Sequence, residues 1–318
     1  MSAASQPSSA SVTGSWAQRM EAFRSAPLLN FSRSLPGFFI VGPPRTGTTW
    51  LHEILKRHVA LPASTKETRF FDLHFHRGTD WYLSHYRDLH SWSRIGEVAP
   101  TYFASPEART RIREMIPHAK IVCIFRDPVQ RLVSLYRLKR AYGWISWTLE
   151  EAIERDPELT ESGRYASHLK TWQRTFGADQ ILPTLFDDLR DRPQTFVDGV
   201  ADFIGIPRFA LTPADCRCIH ASDFMTIPRN YACTRAARLM VEWLEARHFG
   251  PLLAAARNSR LRKLVLGGGA AFADIPTELS RMLYEFFREE VEQLELMLQR
   301  DLTAWKRQPG ALDEEAAL

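Results

Sequence analysis

Long apolar stretches are missing from this sequence. None of its 318 residues belongs to a run of the roughly 18 apolar residues that a membrane-spanning helix requires. Hydrophobic residues make up 45% of the chain and charged residues 25%, which is typical of a globular protein. The length fits one enlarged domain, and no internal repeat is visible. We therefore expect a soluble protein without a membrane span.

Cysteine is scarce, and its spacing argues against two structural roles. The four cysteines are Cys123, Cys216, Cys218 and Cys233. They do not form the paired pattern of a zinc site, and Cys216 and Cys218 lie too close in sequence for an ordinary disulfide. The first ten residues also lack the basic start and apolar core of a secretion signal. A reducing cytoplasm agrees with these features, so we expect a cytoplasmic protein.

Positive charge is in slight excess but is not concentrated. The formal net charge is +4, from 41 Lys and Arg residues against 37 Asp and Glu, and the sequence pI is about 8.9. The basic residues are scattered and form no stripe of the kind that binds nucleic acid. The composition favours a small anionic ligand over a nucleic-acid partner, and it does not indicate an oligomeric state.

One stretch predicts a strand, a tight turn and a helix. The apolar residues 38–41 are too few for a helix, and they run into the Gly- and Pro-rich turn 42–47, which opens onto the amphipathic segment 50–58. Such a turn at a helix N-terminus binds anions. Its two glycines are spaced as in the phosphate-binding P-loop, but Thr48 stands where the triphosphatase pattern demands Lys. The cation lies inside the turn instead, as Arg45.

A second predicted strand ends in charged residues. The run 120–125 predicts a buried strand, and a helix is expected to follow, since Asp127 can cap it and Pro128 suits its first position. Arg126 then lies at the carboxyl end of a strand, the edge at which open α/β sheets bind ligands. Ser134 lies about two turns along the helix. We expect Arg126 and Ser134 to form a second anion site.

These two sites and a third motif resemble the sulfotransferases that use 3′-phosphoadenosine 5′-phosphosulfate (PAPS). The turn at 43–51 resembles their 5′-phosphosulfate loop. The Arg-Asp-Pro at 126–128, with Arg131 and Ser134, resembles their 3′-phosphate site. The segment 66–72, which reads Lys-Glu-Thr-Arg-Phe-Phe-Asp, resembles the catalytic-Glu segment of the heparan-sulfate-type members.

The resemblance extends over residues 37–210 and implies a three-layer α/β/α fold with a central parallel sheet of the P-loop type. It implies transfer of a sulfuryl group from PAPS to a hydroxyl or amine of a small-molecule or carbohydrate acceptor. Because Thr48 replaces the P-loop Lys and the sequence contains no recognisable acidic metal-binding motif, we expect catalysis without a metal. Glu67 is then the general base, and Arg45 acts on the phosphosulfate. The nucleotide-binding residues that we expect are Pro44, Arg45, Thr46, Gly47, Thr48, Thr49, Trp50, Arg126, Ser134 and Arg229.

The sequence also departs from the family pattern. Val98 stands where relatives of the heparan-sulfate type carry Lys, and their Lys-Gly-Arg loop and disulfide are absent. His74 and His76 remain alternatives to Glu67 as the base, or a metal pair without an evident third ligand. For the function as a whole, an atypical P-loop kinase acting on a small molecule stays open.

Outside the matched region the sequence predicts less. We expect a tail and a short helix over residues 1–34, and a single sulfotransferase domain over 35–318 with a helical C-terminal part. The last helix is expected from Leu279 to Trp305, with an apolar face that packs on the core. The three glycines at 267–269 are expected to form a flexible connector.

Overall fold

The computed structural model describes residues 35–87, 89–217, 226–246 and 268–307. By its internal contacts the chain divides into two units, Met1–Leu35 and Pro36–Leu318. Every element named below belongs to the second unit. The tail and short helix expected over residues 1–34 lie outside the described residues.

Four short strands form the main sheet: β1 (Phe38–Ile40), β2 (Gly96–Val98), β3 (Lys120–Phe125) and β4 (Ile181–Leu185). They run parallel, in the order β2-β1-β3-β4. Parallel neighbours need crossover connections, which here contain the helices. Because β1 lies between β2 and β3, the turn at its carboxyl end is flanked by the carboxyl ends of both neighbours.

Helices follow most of the strands. None of those in the described part of the chain is long and apolar enough to cross a membrane. Their bounds are α1 (Thr48–Leu55), α2 (Gly78–Leu83), α3 (Pro106–Met115), α4 (Pro128–Ala141), α5 (Leu149–Arg155), α6 (Glu158–Glu161), α7 (Tyr165–Phe176), α8 (Phe186–Asp191), α9 (Pro193–Ile204), α10 (Pro213–Arg217), α11 (Tyr231–Ala246) and α12 (Thr277–Leu298).

Alternate residues of each strand face opposite sides of the main sheet. Phe39 of β1 is buried in a cluster that includes residues of α3, α4, α7 and α12, whereas Phe38 and Ile40 are buried in a second cluster with α1, α8 and α9. Helices therefore cover both faces, as they must for a parallel sheet that is buried on both sides. The predicted three-layer α/β/α fold with a central parallel sheet is confirmed.

A small second sheet corrects one prediction. Strand β5 (Thr226–Pro228) pairs antiparallel with β6 (Gly268–Ala271), so two of the three glycines expected in a flexible connector lie in a strand. A Cβ at Gly269 would lie 2.3 Å from the carbonyl oxygen of Ile227. Gly269 is thus needed because the two backbones lie close together. A glycine-rich sequence fits such a contact as well as it fits a flexible connector.

The last helix is shorter than predicted. Helix α12 ends at Leu298, because Gln299 has a left-handed backbone with φ of 52°, and Trp305 lies in a separate short turn, Thr303–Trp305. The amphipathic face is confirmed, since Leu283, Phe287, Val291 and Leu294 are buried; Phe286, expected on that face, is 50% exposed.

Candidate active site

The turn after β1 has a tightly fixed backbone. Arg45 and Gly47 have φ values of 77° and 92°, in the left-handed region. A Cβ at Gly42 would lie 2.4 Å from the backbone nitrogen of Ile124, so a glycine lets the turn pass close to β3. The Thr46 hydroxyl donates to a carbonyl of the same turn at 2.8 Å. The turn ends at the N-terminus of α1, whose first N–H groups have no partner within the helix.

Two arginines from separate elements meet beside this turn. Arg45 Nε donates to Ser134 Oγ of α4 at 2.9 Å, and Arg126 Nη1 donates to the backbone carbonyl of Arg45 at 3.4 Å. The guanidinium of Arg126 also lies over the ring of Phe186, 4.9 Å from its centroid. Burial, and then the charge of Arg126, lower the pKa of Arg45. Two positive charges repel each other at this partly buried point, and a bound anion would reduce that repulsion.

The start of α4 fixes the position of Arg126. Asp127 caps the helix as predicted, and its Oδ1 accepts from the backbone N–H groups of Val129 and Gln130 at 2.9 and 3.0 Å. Its other oxygen accepts from the Tyr284 hydroxyl of α12 at 3.0 Å. Burial raises the pKa of Asp127 to about 6. Nothing in the sequence indicates this role for Tyr284, because a tyrosine in an amphipathic helix also fits ordinary core packing.

Arg131 does not join this site, although it belongs to the motif that predicted it. Its guanidinium is fully buried and donates to Ser162 Oγ at 2.8 Å and to the carbonyl of Leu159. Helical spacing alone would not separate them, because Arg131 and Ser134 are three residues apart on α4. The side chain of Arg131 instead extends into the core to make these two hydrogen bonds. Arg131 therefore anchors the segment around α6.

Glu67 lies in the loop between α1 and α2. Its carboxylate contacts Lys66 Nζ at 2.8 Å, and the two side chains are 26% and 28% exposed. Thr65 Oγ1 donates to the Glu67 carbonyl at 3.2 Å. The pKa of His52 on α1 is lowered mainly by burial, and the charge of Lys66 adds to this effect. Lys66, next to Glu67, is therefore close enough to act by its charge on α1, the helix that follows the turn at 42–47.

The residue after Glu67 is bound to a carboxylate to which the sequence assigned no role. Thr68 donates through both its backbone N–H and its hydroxyl to Glu97 of β2, at 3.1 and 2.5 Å. Glu97 is fully buried, and burial raises its pKa to about 7, against the effect of hydrogen bonds from Thr68, Tyr82 and Tyr102. A polar residue inside an otherwise apolar strand is the signal that could have identified it.

The other residues expected at the turn differ in exposure. Pro44 is partly buried, Thr48 is buried and Thr49 is exposed. Trp50 is buried, and its indole N–H donates to the carbonyl of Asp215 in α10 at 2.8 Å. The ring of Trp50 thus connects α1 to α10.

Arg229 lies between β5 and α11 and is exposed. The neighbouring Tyr231 hydroxyl accepts from Arg140 Nε of α4 at 2.6 Å, which holds the start of α11 against the helix that carries Ser134. The structure therefore brings Arg45, Arg126 and Ser134 together and places Arg229 on a segment that packs along the same helix.

The alternatives to Glu67 lie further along its loop. His74 packs edge-on against Trp81, with ring centroids 5.3 Å apart, and the His74 and His76 rings are 6.3 Å apart. Within the described ranges, no three His, Cys, Asp or Glu side chains are grouped so that they could hold a metal ion. Val98, where relatives carry Lys, is fully buried with Ile40 in the core and offers no polar contact.

Comparisons with known proteins agree with this geometry. The sequence model of the family described as Sulfotransferase domain matches residues 35–222. The chain is 26% identical to human bifunctional heparan sulfate N-deacetylase/N-sulfotransferase 2 over 303 residues, covering 86% of this chain and 31% of the relative. It is 31% identical to the Bos taurus protein of the same name over 198 residues, covering 55% of this chain and 22% of the relative.

The chain thus spans no more than about a third of these relatives. Among solved structures, a sulfotransferase from Alicyclobacillus acidocaldarius is similar in fold, with a TM-score of 0.61 and 21% identity, and the match covers 86% of this chain and 99% of that one. Because the family model matches more than half of its length, the chain belongs to the sulfotransferase-domain family.

Proposed function

We propose that this protein transfers a sulfuryl group from PAPS to a hydroxyl or amine of a carbohydrate or small-molecule acceptor, and releases 3′-phosphoadenosine 5′-phosphate. The observation that carries the proposal is the meeting of Arg45, Ser134 and Arg126 where β1 and β3 end, beside the N-terminus of α1. We assign two neighbouring places for negative charge to this cluster, one at the turn that carries Arg45 and one at Arg126 and Ser134. PAPS carries phosphate on both sides of its ribose and fits both.

The turn is the proposed site of the 5′-phosphosulfate. Arg45 supplies the fixed charge, and the backbone N–H groups of the turn and of the first residues of α1 supply donors. Thr46 would contribute through its backbone, because its hydroxyl is bonded to Pro43. Trp50 would contribute by packing, since its N–H is bonded to Asp215. Pro44, Gly47, Thr48 and Thr49 complete this part of the site.

Arg126 and Ser134 are the proposed partners of the 3′-phosphate. An arginine presents paired donors that match a phosphate, and a serine hydroxyl adds one hydrogen bond. Arg229 would close over the nucleotide from the β5 side; its exposed position beside α4 supports this role.

In the proposed reaction, Glu67 accepts the proton of the acceptor group as that group attacks sulfur. The bond between sulfur and the bridging phosphate oxygen breaks with its electron pair leaving on the phosphate, and a bond from sulfur to the acceptor oxygen or nitrogen forms. Arg45 and the backbone donors stabilise the charge that grows on the sulfuryl and leaving oxygens. We infer that no divalent metal takes part, because the cation is supplied from within the turn.

The acceptor class follows from the family in part. The relatives named above are heparan sulfate N-sulfotransferases, so a sugar amine is one candidate for this chain. Val98 removes the lysine of those relatives, which leaves sugar and phenolic hydroxyls as equal candidates. We further propose a cytoplasmic location, which rests on the scarcity of cysteine in the sequence.

Three acceptors incubated with [³⁵S]PAPS test the proposal: N-desulfated heparosan with free amines, N-acetyl heparosan with hydroxyls only, and 2-naphthol. We expect labelled product from at least one of them, and the same rate with and without EDTA. Calorimetry in parallel should show binding of 3′-phosphoadenosine 5′-phosphate in preference to ATP. A preference for ATP, with magnesium-dependent phosphoryl transfer, would instead establish the kinase alternative.

A further inference from the structure

Glu97 is the centre of a buried polar cluster in the apolar core. It lies in the middle of β2, is fully buried and faces the same side of the sheet as Phe39. Its Oε1 accepts from Thr68, as described above, and its Oε2 accepts from the Tyr82 hydroxyl at 2.7 Å. The Tyr102 hydroxyl donates to the same carboxylate, 3.2 and 3.3 Å from its two oxygens.

The donors of this cluster also hold the backbone that follows Glu67. The N–H of Phe70 donates to Thr68 Oγ1 at 3.1 Å, and the N–H of Phe71 donates to the Tyr102 hydroxyl at 3.2 Å. The amides of residues 68, 70 and 71 therefore end on Glu97, either directly or through one hydroxyl. Three of the four residues of segment 68–71 are thus linked to one carboxylate, Thr68 directly and Phe70 and Phe71 through a hydroxyl.

This segment needs such support because its backbone is strained. Arg69 has φ of 53°, a left-handed conformation that a residue with a side chain adopts only when its surroundings hold it. The Arg111 guanidinium holds the segment from the other side, since its Nη1 donates to the Phe71 carbonyl at 2.7 Å. Segment 68–71 is thus attached to the sheet by these hydrogen bonds as well as by the buried rings of Phe70 and Phe71.

We propose that Glu97 is a positioning residue, which fixes segment 68–71 and thereby aims the Glu67 carboxylate at the acceptor. This inference rests on the proposed role of Glu67 as the general base. A buried carboxylate costs free energy that an apolar residue would not, and a packing role alone does not require it. Its four hydrogen bonds from donors on three separate segments fix one loop conformation, which is what a catalytic base requires.

The experiment compares Glu97→Leu with Glu97→Gln in the full chain. Leucine offers no acceptor for the N–H and hydroxyl of Thr68, whereas the amide oxygen of glutamine can still accept from them. Glutamine should therefore keep segment 68–71 in its wild-type conformation. We expect Glu97→Leu to lower kcat by about 100-fold, as misplacement of a catalytic group does, with the affinity for 3′-phosphoadenosine 5′-phosphate unchanged. Glu97→Gln should recover most of this loss.

Hydrogen exchange of peptides that cover residues 66–75 gives a second readout. We expect faster exchange there in Glu97→Leu than in Glu97→Gln or wild type, with the other strands of the main sheet unchanged. Turnover is measured with [³⁵S]PAPS and whichever of N-desulfated heparosan, N-acetyl heparosan and 2-naphthol gives labelled product with the wild type. If Glu97→Leu does not fold, Thr68→Val takes its place, because it removes the hydroxyl that links Phe70 to Glu97.

Tyr86→Phe is the matched control. The Tyr86 hydroxyl belongs to the same buried cluster, where it contacts the Tyr82 hydroxyl at 3.1 Å and donates to the Gly96 carbonyl at 3.2 Å, away from segment 68–71. We expect Tyr86→Phe to lower stability while kcat and exchange over 66–75 stay at the wild-type level.

A Glu97→Leu variant that behaves like Tyr86→Phe, with normal kcat and normal local exchange, would overturn the inference. Failure of the wild type to bind 3′-phosphoadenosine 5′-phosphate, or to use any of the three acceptors, would count against the proposed function instead. In that case local exchange alone decides whether Glu97 holds the segment.

Discussion

Arg45 and Arg126 meet at a partly buried point, and each is fixed by a different element. Arg45 is held by a turn with left-handed backbone, and Arg126 by a capped helix start. Burial, and then the charge of Arg126, lower the pKa of Arg45, and a bound anion would favour its charged form. At this scale, Arg45 and Arg126 are the arginines proposed to bind a ligand, whereas Arg131 is used by the fold, since it bonds to Ser162 and Leu159.

Glu67→Gln tests the proposed base. The amide keeps the shape of the side chain but cannot accept a proton, so we expect kcat to fall by about 10²- to 10⁴-fold. The affinity for 3′-phosphoadenosine 5′-phosphate, measured by calorimetry, should not change. Glu154→Gln is the matched control, because Glu154 is exposed on α5. Near-normal turnover in Glu67→Gln would make His74 or His76 the next candidates.

Arg126→Ala tests the proposed 3′-phosphate site. A charge-assisted hydrogen bond contributes about 1.5–3 kcal/mol, so 3′-phosphoadenosine 5′-phosphate should bind about 10- to 150-fold more weakly. Adenosine 5′-phosphosulfate lacks the 3′-phosphate and should bind the variant and the wild type almost equally. Calorimetry with both ligands makes the comparison. Equal losses for the two ligands would mean that Arg126 supports the turn and does not read the 3′-phosphate.

Individual elements show why sequence patterns predict some parts of this site and miss others. The cap at Asp127 and the start of α4 at Pro128 were predictable, because both depend on local backbone chemistry. Strand β6 was not, since glycine indicates flexibility and close backbone approach alike. The burial of Arg131 was not predictable either, because its partners Ser162 and Leu159 are 31 and 28 residues away in sequence.

Long-range contacts left no local signal at all. Tyr284 and Asp127 are 157 residues apart in sequence, and nothing near either residue predicts their hydrogen bond. The contact attaches the C-terminal helix to the start of α4, so α12 supports the proposed 3′-phosphate site as well as the core. Glu97 and Thr68 are likewise joined only by the fold.

Tyr284→Phe tests the role of α12. The variant removes a hydrogen bond to a buried carboxylate, so we expect the free energy of unfolding to fall by about 1.5–3 kcal/mol in urea denaturation. If the contact also orients Arg126, 3′-phosphoadenosine 5′-phosphate should bind more weakly while adenosine 5′-phosphosulfate binds as before. Tyr86→Phe, in the other buried hydroxyl cluster, should lose stability without changing this ratio. An unchanged ratio in Tyr284→Phe would confine α12 to core packing.

For the molecule as a whole, the parallel order β2-β1-β3-β4 determines which motifs meet. The carboxyl ends of β1 and β3 lie side by side and present the two arginines. On the other side of β1, β2 holds the Glu67 loop through Glu97. A general α/β/α fold was predictable from the sequence, but the attachment of the loop that carries Glu67 to β2 was not, because Thr68 and Glu97 meet only in the folded sheet.

The stability of the whole molecule should depend on pH through Glu97. Its pKa is raised from an ordinary value of 4.5 to about 7 by burial, so between these values the folded protein binds a proton that the unfolded chain does not. The stability that this proton contributes is complete below pH 4.5 and is lost as pH rises to 7. At about 1.36 kcal/mol per pKa unit, the loss is about 3 kcal/mol.

Glu97→Gln isolates this effect, because the amide does not titrate. The free energy of unfolding of the wild type minus that of Glu97→Gln should therefore fall by about 3 kcal/mol between pH 4.5 and pH 7, and should stay constant above pH 8. Urea denaturation at half-unit steps of pH measures both curves. A constant difference between wild type and Glu97→Gln would show that Glu97 is ionised throughout this range, and that its four hydrogen bonds outweigh its burial.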